Sequence, residues 1–261
     1  MRTAPAALAL LVLAAPTVPA QADLWLTYRL ETVTTRMRTG EVFREEAERR
    51  LFVAERHARL DIQDLESFLV DLDNHTMRLF DHKKSTTETL SLPVNLDRLV
   101  SEAVARDYAE LCSLLAPKFS EEEAETALVI VGRWKTRRHL LEVATHSKYS
   151  FEYETWTTSE IPLSEGMQKA LSAVLRSFYE LDPFARTWID RALTQPGIPV
   201  RIRFKSDEGT VPREETWILQ DAVEVPPDPA RFEAPPGYAE KPFDVTRFVI
   251  FGAPTAPAPP Q

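Results

Sequence analysis

The chain of 261 residues contains a single cysteine, Cys112, and only seven glycines. One thiol excludes an internal disulfide, and its place in an apolar helical pattern indicates a buried, inert side chain. The sequence offers no glycine-rich loop for a phosphate group, and no serine lies in a Gly-x-Ser-x-Gly elbow. We therefore expect no catalytic residue and predict that the protein is not an enzyme.

Metal-binding patterns are also missing. The five histidines are scattered, and no pair has the short spacing that a zinc site completed by cysteine or glutamate requires. The acidic run Ser120–Glu125 lacks the spaced ligands and the glycine of a calcium loop, so we read it as a solvated turn. Asp81 and His82 resemble an acid–base pair, but turn chemistry explains them better. We expect no metal and no cofactor.

Long apolar runs occur only at the N-terminus. Residues 1–22 combine Arg2, an apolar core over Ala6–Ala15 and the small-x-small sequence Ala20-Gln21-Ala22. This pattern is typical of a cleavable signal peptide, and the core is too short to span a membrane. The mature chain would begin at Asp23 and be periplasmic or secreted, with no transmembrane segment.

Charge narrows the choice of partners. Arg2 is the only charged residue of the signal peptide, so the mature chain carries a formal charge of −10, one lower than the −9 of the whole chain. Such an acidic protein is not expected to bind nucleic acid or an anionic membrane surface. Residues 252–261 are rich in proline and alanine and predict a disordered tail. Residues 23–251 then form a single domain.

Alternating apolar and polar residues predict strands through most of this domain. Polar breaks at residues 55–56, 63–64, 73–74 and 83–84 divide residues 50–92 into short strands joined by short turns, which is typical of an antiparallel meander. We predict strands over residues 24–35, 41–54, 59–62, 68–72, 75–80, 85–92, 140–145, 149–158, 198–205 and 214–223. Residues 41–54 also contain good helix formers, but their strand-like neighbours favour a strand. Leu128–Val131 has apolar residues on both faces and predicts a central, doubly covered strand.

Helical spacing of apolar residues appears in three places. One helix is predicted from Leu96 to about Leu115, capped by Asn95; a second begins near Pro162; a third runs from Phe184 to Gln195. The segment Phe232–Phe243 has three prolines and predicts an extended strap rather than a strand. The fold class is therefore α+β: a strongly curved antiparallel sheet, an incomplete barrel, with helices covering its concave face.

Several motifs also carry a resemblance. The segments RLFDHKKSTTETLSLP, YETWTTSEIPL, GIPVRIRF and FEAPPGY contain its matching residues, which are Asp81, Lys83, Lys84, Thr86 or Thr87, Glu88, Trp156, Gly197, Pro199, Phe232, Gly237 and Tyr238. With the signal peptide, this set resembles an uncharacterised bacterial family of exported β proteins. That family is similar to LolA- and LppX-like lipoprotein carriers. The resemblance implies an unclosed barrel with a helical lid over an apolar cavity, and no catalytic residue.

The apolar helical stripes are the candidate ligand wall. If the helices leave a gap over the sheet, the gap would be lined by Met167, Leu171, Leu175, Phe178, Phe184 and Trp188. Three functions stay open: a carrier for a lipid, acyl chain or other hydrophobic ligand; a structural or protein-interaction module of the envelope; and an enzyme with a polar cleft. The carrier ranks first, and a continuous apolar cavity with few polar groups would favour it. A filled core with an exposed apolar patch would favour the module.

Overall fold

The computed structural model describes residues 22–36, 39–94, 99–100, 102–115, 117–122, 129–145, 150–180, 185–193, 195–207 and 212–243. Most of the predicted signal peptide and all of the predicted tail lie outside these residues and stay predictions. No helix in the described part is long and apolar enough to cross a membrane.

Thirteen strands dominate the described chain. They are β1 Asp23–Arg36, β2 Glu41–Val53, β3 His57–Ile62, β4 Glu66–Asp71, β5 Thr76–Asp81, β6 Thr86–Ser91, β7 Lys118–Glu122, β8 Val129–Val131, β9 Trp134–Ala144, β10 Ser150–Thr158, β11 Ile198–Asp207, β12 Arg213–Val225 and β13 Ala239–Lys241. The helices are α1 Glu102–Leu115, α2 Glu165–Glu180 and α3 Ile189–Ala192, with short 3-10 turns at Ala185–Thr187 and Pro229–Phe232.

These strands form one curved, open sheet that is antiparallel except at one edge. Its order is β13-β6-β5-β4-β3-β2-β1-β12-β11-β10-β9-β7, and β8 pairs with β9 beside β7. The sheet is not closed into a barrel. The predicted fold class, a large curved antiparallel sheet with a few helices, is confirmed.

The meander follows the predicted breaks because its turns contain matching side chains. Asp71 accepts hydrogen bonds from the backbone N–H groups of Asp73 and Asn74, each at 3.0 Å, and Asp81 accepts one from Lys84 at 3.0 Å. Such side-chain turns fix the hairpin geometry. The Asp81–His82 segment is therefore a structural turn, as predicted.

Alternation along the strands gives the sheet two faces. Leu26, Leu51 and Leu60 are side by side on the helix-covered face and are fully buried. Their neighbours Arg50 and Arg59 lie on the opposite face, here called the outer face. Half of β2 is different, because residues 41–46 are exposed on both faces. Only the later half of β2 is therefore covered by other parts of the described chain.

Three local predictions are wrong. The acidic run enters strand β7, which pairs with β9, because cross-strand pairing outweighs the weak strand preference of glutamate. Strand β8 is short and peripheral rather than central, with Ile130 72% exposed. Within the strap, residues 239–241 form β13, which pairs in parallel with β6. The prolines at 236 and 242 therefore do not prevent the residues between them from pairing with a strand.

The helices also begin and end differently from the predictions. Residues 99–100 are not helical, so α1 starts at Glu102, and Asn95 lies outside the described residues. Helix α2 begins after Ser164, whose hydroxyl accepts a hydrogen bond from Met167 N–H at 3.0 Å. This side-chain cap decides the start more strongly than Pro162 does. The third predicted helix is split at Trp188 into a 3-10 turn and the four-residue α3.

Candidate ligand-binding site

Helix α2 covers the β2–β4 part of the sheet. Its buried residues have the i, i+3, i+4 spacing of one helix face, and they are Met167, Ala170, Leu171, Val174 and Leu175. They pack with the sheet residues Leu26, Leu51 and Leu60 in a first apolar cluster. Two polar contacts set the position of the helix: Ser164 donates to the carboxylate of Glu55, and the Gln168 side-chain oxygen accepts from Gly197 N–H at 2.9 Å.

A second apolar cluster lies on β9, β10 and β11. The sheet side of this cluster is formed by Leu141, Val143, Phe151, Tyr153 and Ile202, all buried, and we call these five residues the aromatic cup. Residues 185–192 fill the cup, and we call them the plug. The Trp188 ring lies 4.8 Å from the Phe151 ring and 5.5 Å from the Tyr153 ring, measured between centroids. Trp188 is therefore the main side chain in the cup.

The plug has little secondary structure to hold it. Helix α3 has four residues, and a helix that short is not stable without tertiary contacts. Two partly exposed ion pairs join the plug to its surroundings, Arg191–Glu121 and Asp190–Arg176, each at 2.6 Å. Such pairs stabilise by at most about 1 kcal/mol each. Arg186 of the plug also donates a hydrogen bond to the backbone oxygen of Val94, and the Arg191 guanidinium lies over the Phe119 ring. Trp188 and Ile189 are the large buried side chains of the plug, 3% and 2% exposed.

A small gap separates α2 from the plug. Its wall includes Thr155, Leu171, Leu175 and Leu193, and its volume is about 20 Å³. That is room for about one water molecule and far less than an acyl chain needs. At this place, the described residues of α2 and the plug leave too little room for an acyl chain.

The four predicted wall residues whose side chains the structure describes belong to two apolar clusters. Met167, Leu171 and Leu175 belong to the first cluster, and Trp188 belongs to the second. Phe178 lies in α2, but its side chain is outside the described structure, and Phe184 lies outside the described residues. The prediction named only helix residues and missed the five cup residues of the sheet. Their signal was the apolar alternation along β9, β10 and β11.

Two buried polar groups lie beside the clusters. His139 and Thr155 are cross-strand neighbours on β9 and β10, and neither His139 Nδ1 nor Thr155 Oγ1 has a hydrogen-bond partner. Burial lowers the pKa of His139 below its ordinary value, although the Glu121 carboxylate opposes that shift. His139 therefore favours its neutral form, and both groups are available to a polar atom that enters the site.

One group of metal-ligating side chains exists on the rim of the sheet. Ligand atoms of His57, Asp71 and Asp73 lie within 4.8 Å of one another. Burial alone would raise the pKa of Asp71, but hydrogen bonds from Asn74 and Asp73 outweigh it and lower the pKa. Asp73 also accepts from Arg56 at 2.8 Å. Because protein donors already occupy these oxygens, the group is explained as part of the turn.

A serine–histidine contact on the outer face is structural as well. Ser67 Oγ lies 2.6 Å from His82 Nε2, and His82 Nδ1 lies 2.7 Å from the Tyr238 hydroxyl. The Ser67 hydroxyl donates to Asp61 at 2.5 Å, and its side chain is fully buried. With its proton engaged and no access to a substrate, Ser67 is not an activated nucleophile. The network instead holds Tyr238 of the strap to the sheet.

Comparison with known proteins identifies structural neighbours only. No family model and no curated protein sequence matches the chain. PNGF-II aligns with 84% of this chain at 8% identity and a TM-score of 0.36, and the chain spans only 32% of its length.

Two further neighbours align over most of both chains. A DUF1329 family protein from Desulfovibrio piger matches with 10% identity and a TM-score of 0.31, covering 82% of this chain and 91% of its own. A domain assigned to outer membrane lipoprotein sorting in Vibrio parahaemolyticus matches with 8% identity and a TM-score of 0.30, covering 81% and 89%. All three TM-scores lie below 0.5, so these likenesses carry no weight for function. Membership of a carrier-like family stays a prediction.

Proposed function

We propose that this chain is an exported, non-enzymatic binding protein that accepts the apolar chain of a lipid, an acylated protein or a similar ligand. The observation that carries the proposal is the aromatic cup, whose occupant is the plug, a short segment that ends in a four-residue helix. The cup presents apolar side chains from three neighbouring strands. Trp188 and Ile189 supply the large apolar side chains that the plug buries there. An apolar ligand chain that displaces the plug would take over the same contacts.

The energetics of this exchange are balanced. Removing Trp188 from the cup loses burial worth about 3–5 kcal/mol, as large aromatic truncations do. A ligand chain that buries several CH₂ groups gains about 0.8 kcal/mol for each of them. A chain of ten or more carbons is therefore long enough to compete, whereas a short ligand is not. The plug would act as a gate that selects for long apolar chains.

The chain's location supports the same proposal. The signal-peptide pattern of residues 1–22 predicts a periplasmic or secreted protein, in a compartment where lipids and acylated proteins need a carrier through water. The mature charge of −10 disfavours binding to an anionic membrane surface by bulk charge. Recognition would then depend on the apolar chain, with His139 and Thr155 as nearby polar contacts.

Uptake of a fluorescent fatty acid, 11-dansyl-undecanoic acid, tests the proposal. We expect Trp188→Ala to bind it about tenfold more tightly than the wild type, because the plug competes less. Trp156→Ala is the matched control: Trp156 is also buried, at 7% exposure, but lies on the outer face against Arg201. Its affinity should equal that of the wild type. Ile189→Ala offers a second plug variant if Trp188→Ala does not fold.

Native mass spectrometry of the exported protein gives an independent measurement. A co-purified acyl lipid, released by organic solvent, is the expected result. The proposal is wrong if neither the wild type nor a plug variant takes up the fatty acid. It is equally wrong if Trp156→Ala gains as much affinity as Trp188→Ala.

A second candidate function is an interaction module of the cell envelope. The observation that favours it is a free edge on the sheet: among the described residues, no strand pairs with residues 41–48 of β2 on the side away from β1. A free edge is a common docking site for an extended segment of another protein. The two candidate functions use different surfaces, and one protein can have both.

A further inference from the structure

The free edge of β2 results from the unequal lengths of its neighbours. β1 pairs with β2 along its whole length, from Glu41 to Val53. β3 pairs only with residues 49–53 and then turns away into β4. Eight residues of β2 therefore present alternate N–H and C=O groups with no strand beside them in the described chain. At about 3.3 Å per residue, this edge is about 26 Å long.

The edge is accessible along its whole length. Side chains of residues 41–46 and Glu48 are exposed, and Ala47 is half-buried. Where β3 leaves β2, an open cleft of about 440 Å³ remains, with Ala47, Glu48, Asp61 and Asp64 in its wall. The cleft gives room for the side chains of an added strand. The surrounding structure thus leaves both the backbone edge and the space beside it unoccupied.

Charge decides which strand can dock there. Residues 41–48 contain four glutamates, Glu41, Glu45, Glu46 and Glu48, against one arginine, Arg44. Glu41 and Glu45 lie on one face of the strand, and Glu46 and Glu48 lie on the other, because side chains alternate. Cations on either face of an added strand would lie within about 5 Å of a glutamate. In the cleft wall, Asp61 pairs with Arg59 and Glu48 pairs with Arg50, each at 2.7 Å. Glu46 and Asp64 add further negative charge there, and Arg29 also lies in the wall.

The same charges exclude other occupants. A second copy of this edge would bring a further three net negative charges beside the first, which is the usual protection of a sheet edge against self-association. The predicted C-terminal tail is uncharged and rich in proline, so it offers neither the cations nor the amide donors. An anionic membrane surface is repelled. A cationic protein segment complements the charge of this edge.

We propose that residues 41–48 of β2 bind an extended, lysine- or arginine-rich segment of a partner protein, which adds to the sheet as a further strand. The backbone edge supplies the hydrogen bonds, and the glutamates on both faces select the cations. This inference deepens the interaction-module candidate. It does not depend on the aromatic cup.

The probe is a ten-residue peptide of alternating lysine pairs and threonine pairs, which has lysines on both faces when extended, measured by fluorescence anisotropy with the full exported protein. We expect binding that weakens as salt increases, and no binding of the same peptide with glutamate in place of lysine. A third peptide keeps the lysines but is N-methylated at its four central residues, which blocks both of its backbone edges. It should bind at least about tenfold more weakly if the segment pairs as a strand.

Protein variants locate the site. Glu45→Lys/Glu46→Lys should weaken binding of the lysine peptide about tenfold. The matched control, Glu224→Lys/Glu233→Lys, changes the net charge equally at two exposed positions away from the edge and should change the affinity less than about twofold. The proposal is overturned if the N-methylated peptide binds as tightly as the unmethylated lysine peptide. It is also overturned if both double variants lose the same affinity, because net charge would then explain the binding. Uptake of the fatty acid should be the same in all these variants, which separates this test from that of the cup.

Discussion

Gly166 lies in the first turn of α2, directly against the turn that joins β2 to β3. A Cβ atom at this position would lie 2.5 Å from the backbone oxygen of Glu55 and 2.2 Å from its carboxylate. Neighbouring Ser164 caps the helix and donates to the same carboxylate. The start of α2 is therefore fixed by one close contact with Glu55, and glycine is the residue that permits it.

We predict that Gly166→Ala lowers the free energy of unfolding by about 1–3 kcal/mol, as overpacking does. The sign of this change is informative, because replacing glycine by alanine inside a helix ordinarily stabilises a protein by about 1 kcal/mol. Urea denaturation of both proteins gives the difference. A more stable variant would show that α2 does not approach Glu55 as closely as described.

His139 gives a prediction about pH. Its pKa is lowered by burial in the folded protein, so the unfolded chain takes up a proton first as the pH falls below about 6.5. Stability contributed by the neutral side chain is present above that pH and is lost as the pH falls toward the folded pKa. The Glu121 carboxylate on β7 reduces this loss without reversing it.

The variant His139→Gln cannot titrate, so its free energy of unfolding should fall less than that of the wild type between pH 7.5 and pH 5.5. Both proteins share the raised pKa of Asp23, caused by burial, and the lowered pKa of Asp71, so these effects cancel in the comparison. Urea denaturation of both proteins at several pH values measures this difference in the free energy of unfolding. If the two pH profiles are parallel, the pKa of His139 is not lowered in the folded protein.

At the scale of elements, local patterns predicted most of the strands. The turns at Asp71 and Asp81 have their own side-chain hydrogen bonds, so the meander could be found from its sequence alone. Strands β7 and β13 could not, because each exists only through pairing with a distant strand. The candidate site was half predicted for the same reason. Helix spacing pointed to Leu171 and Trp188, but nothing local shows that Phe151 and Tyr153 face the plug.

The strap is the element whose attachment is easiest to test. Tyr238 places its ring against Phe80, with centroids 6.3 Å apart, and its hydroxyl against His82. Beneath the strap, Phe80 is fully buried although it lies on the outer face. The strap therefore acts as a cover for a small apolar area on that side of the sheet.

We expect Tyr238→Phe to cost about 1 kcal/mol, the value of one hydrogen bond, and Tyr238→Ala to cost about 2–4 kcal/mol. Urea denaturation gives both values. Hydrogen exchange should show that amides of residues 239–241 lose protection in Tyr238→Ala, while those of β9 and β10 keep theirs. Similar costs for the two variants would mean that the ring contact with Phe80 contributes little.

On the scale of the whole molecule, β1 joins two halves of the sheet. It pairs with β2 on one side and with β12 on the other, so the first described strand lies between the meander and the strands that support the plug. The pairing with β2 joins two predicted strands that are close along the chain. The sequence did not predict pairing with β12, since that contact joins segments about 190 residues apart. Whether the chain is one cooperative domain depends on this strand.

Leu26 is the residue of β1 that tests this dependence. It is fully buried in the first apolar cluster, which contains residues of both halves, such as Leu60 of the meander and Val200 of β11. We predict that Leu26→Ala costs about 2–5 kcal/mol and lowers amide protection in β4, β5, β9 and β10 by the same factor. Hydrogen exchange measured by mass spectrometry resolves the two halves separately. Loss of protection in one half alone would show that the sheet contains two folding units rather than the single domain that we predict.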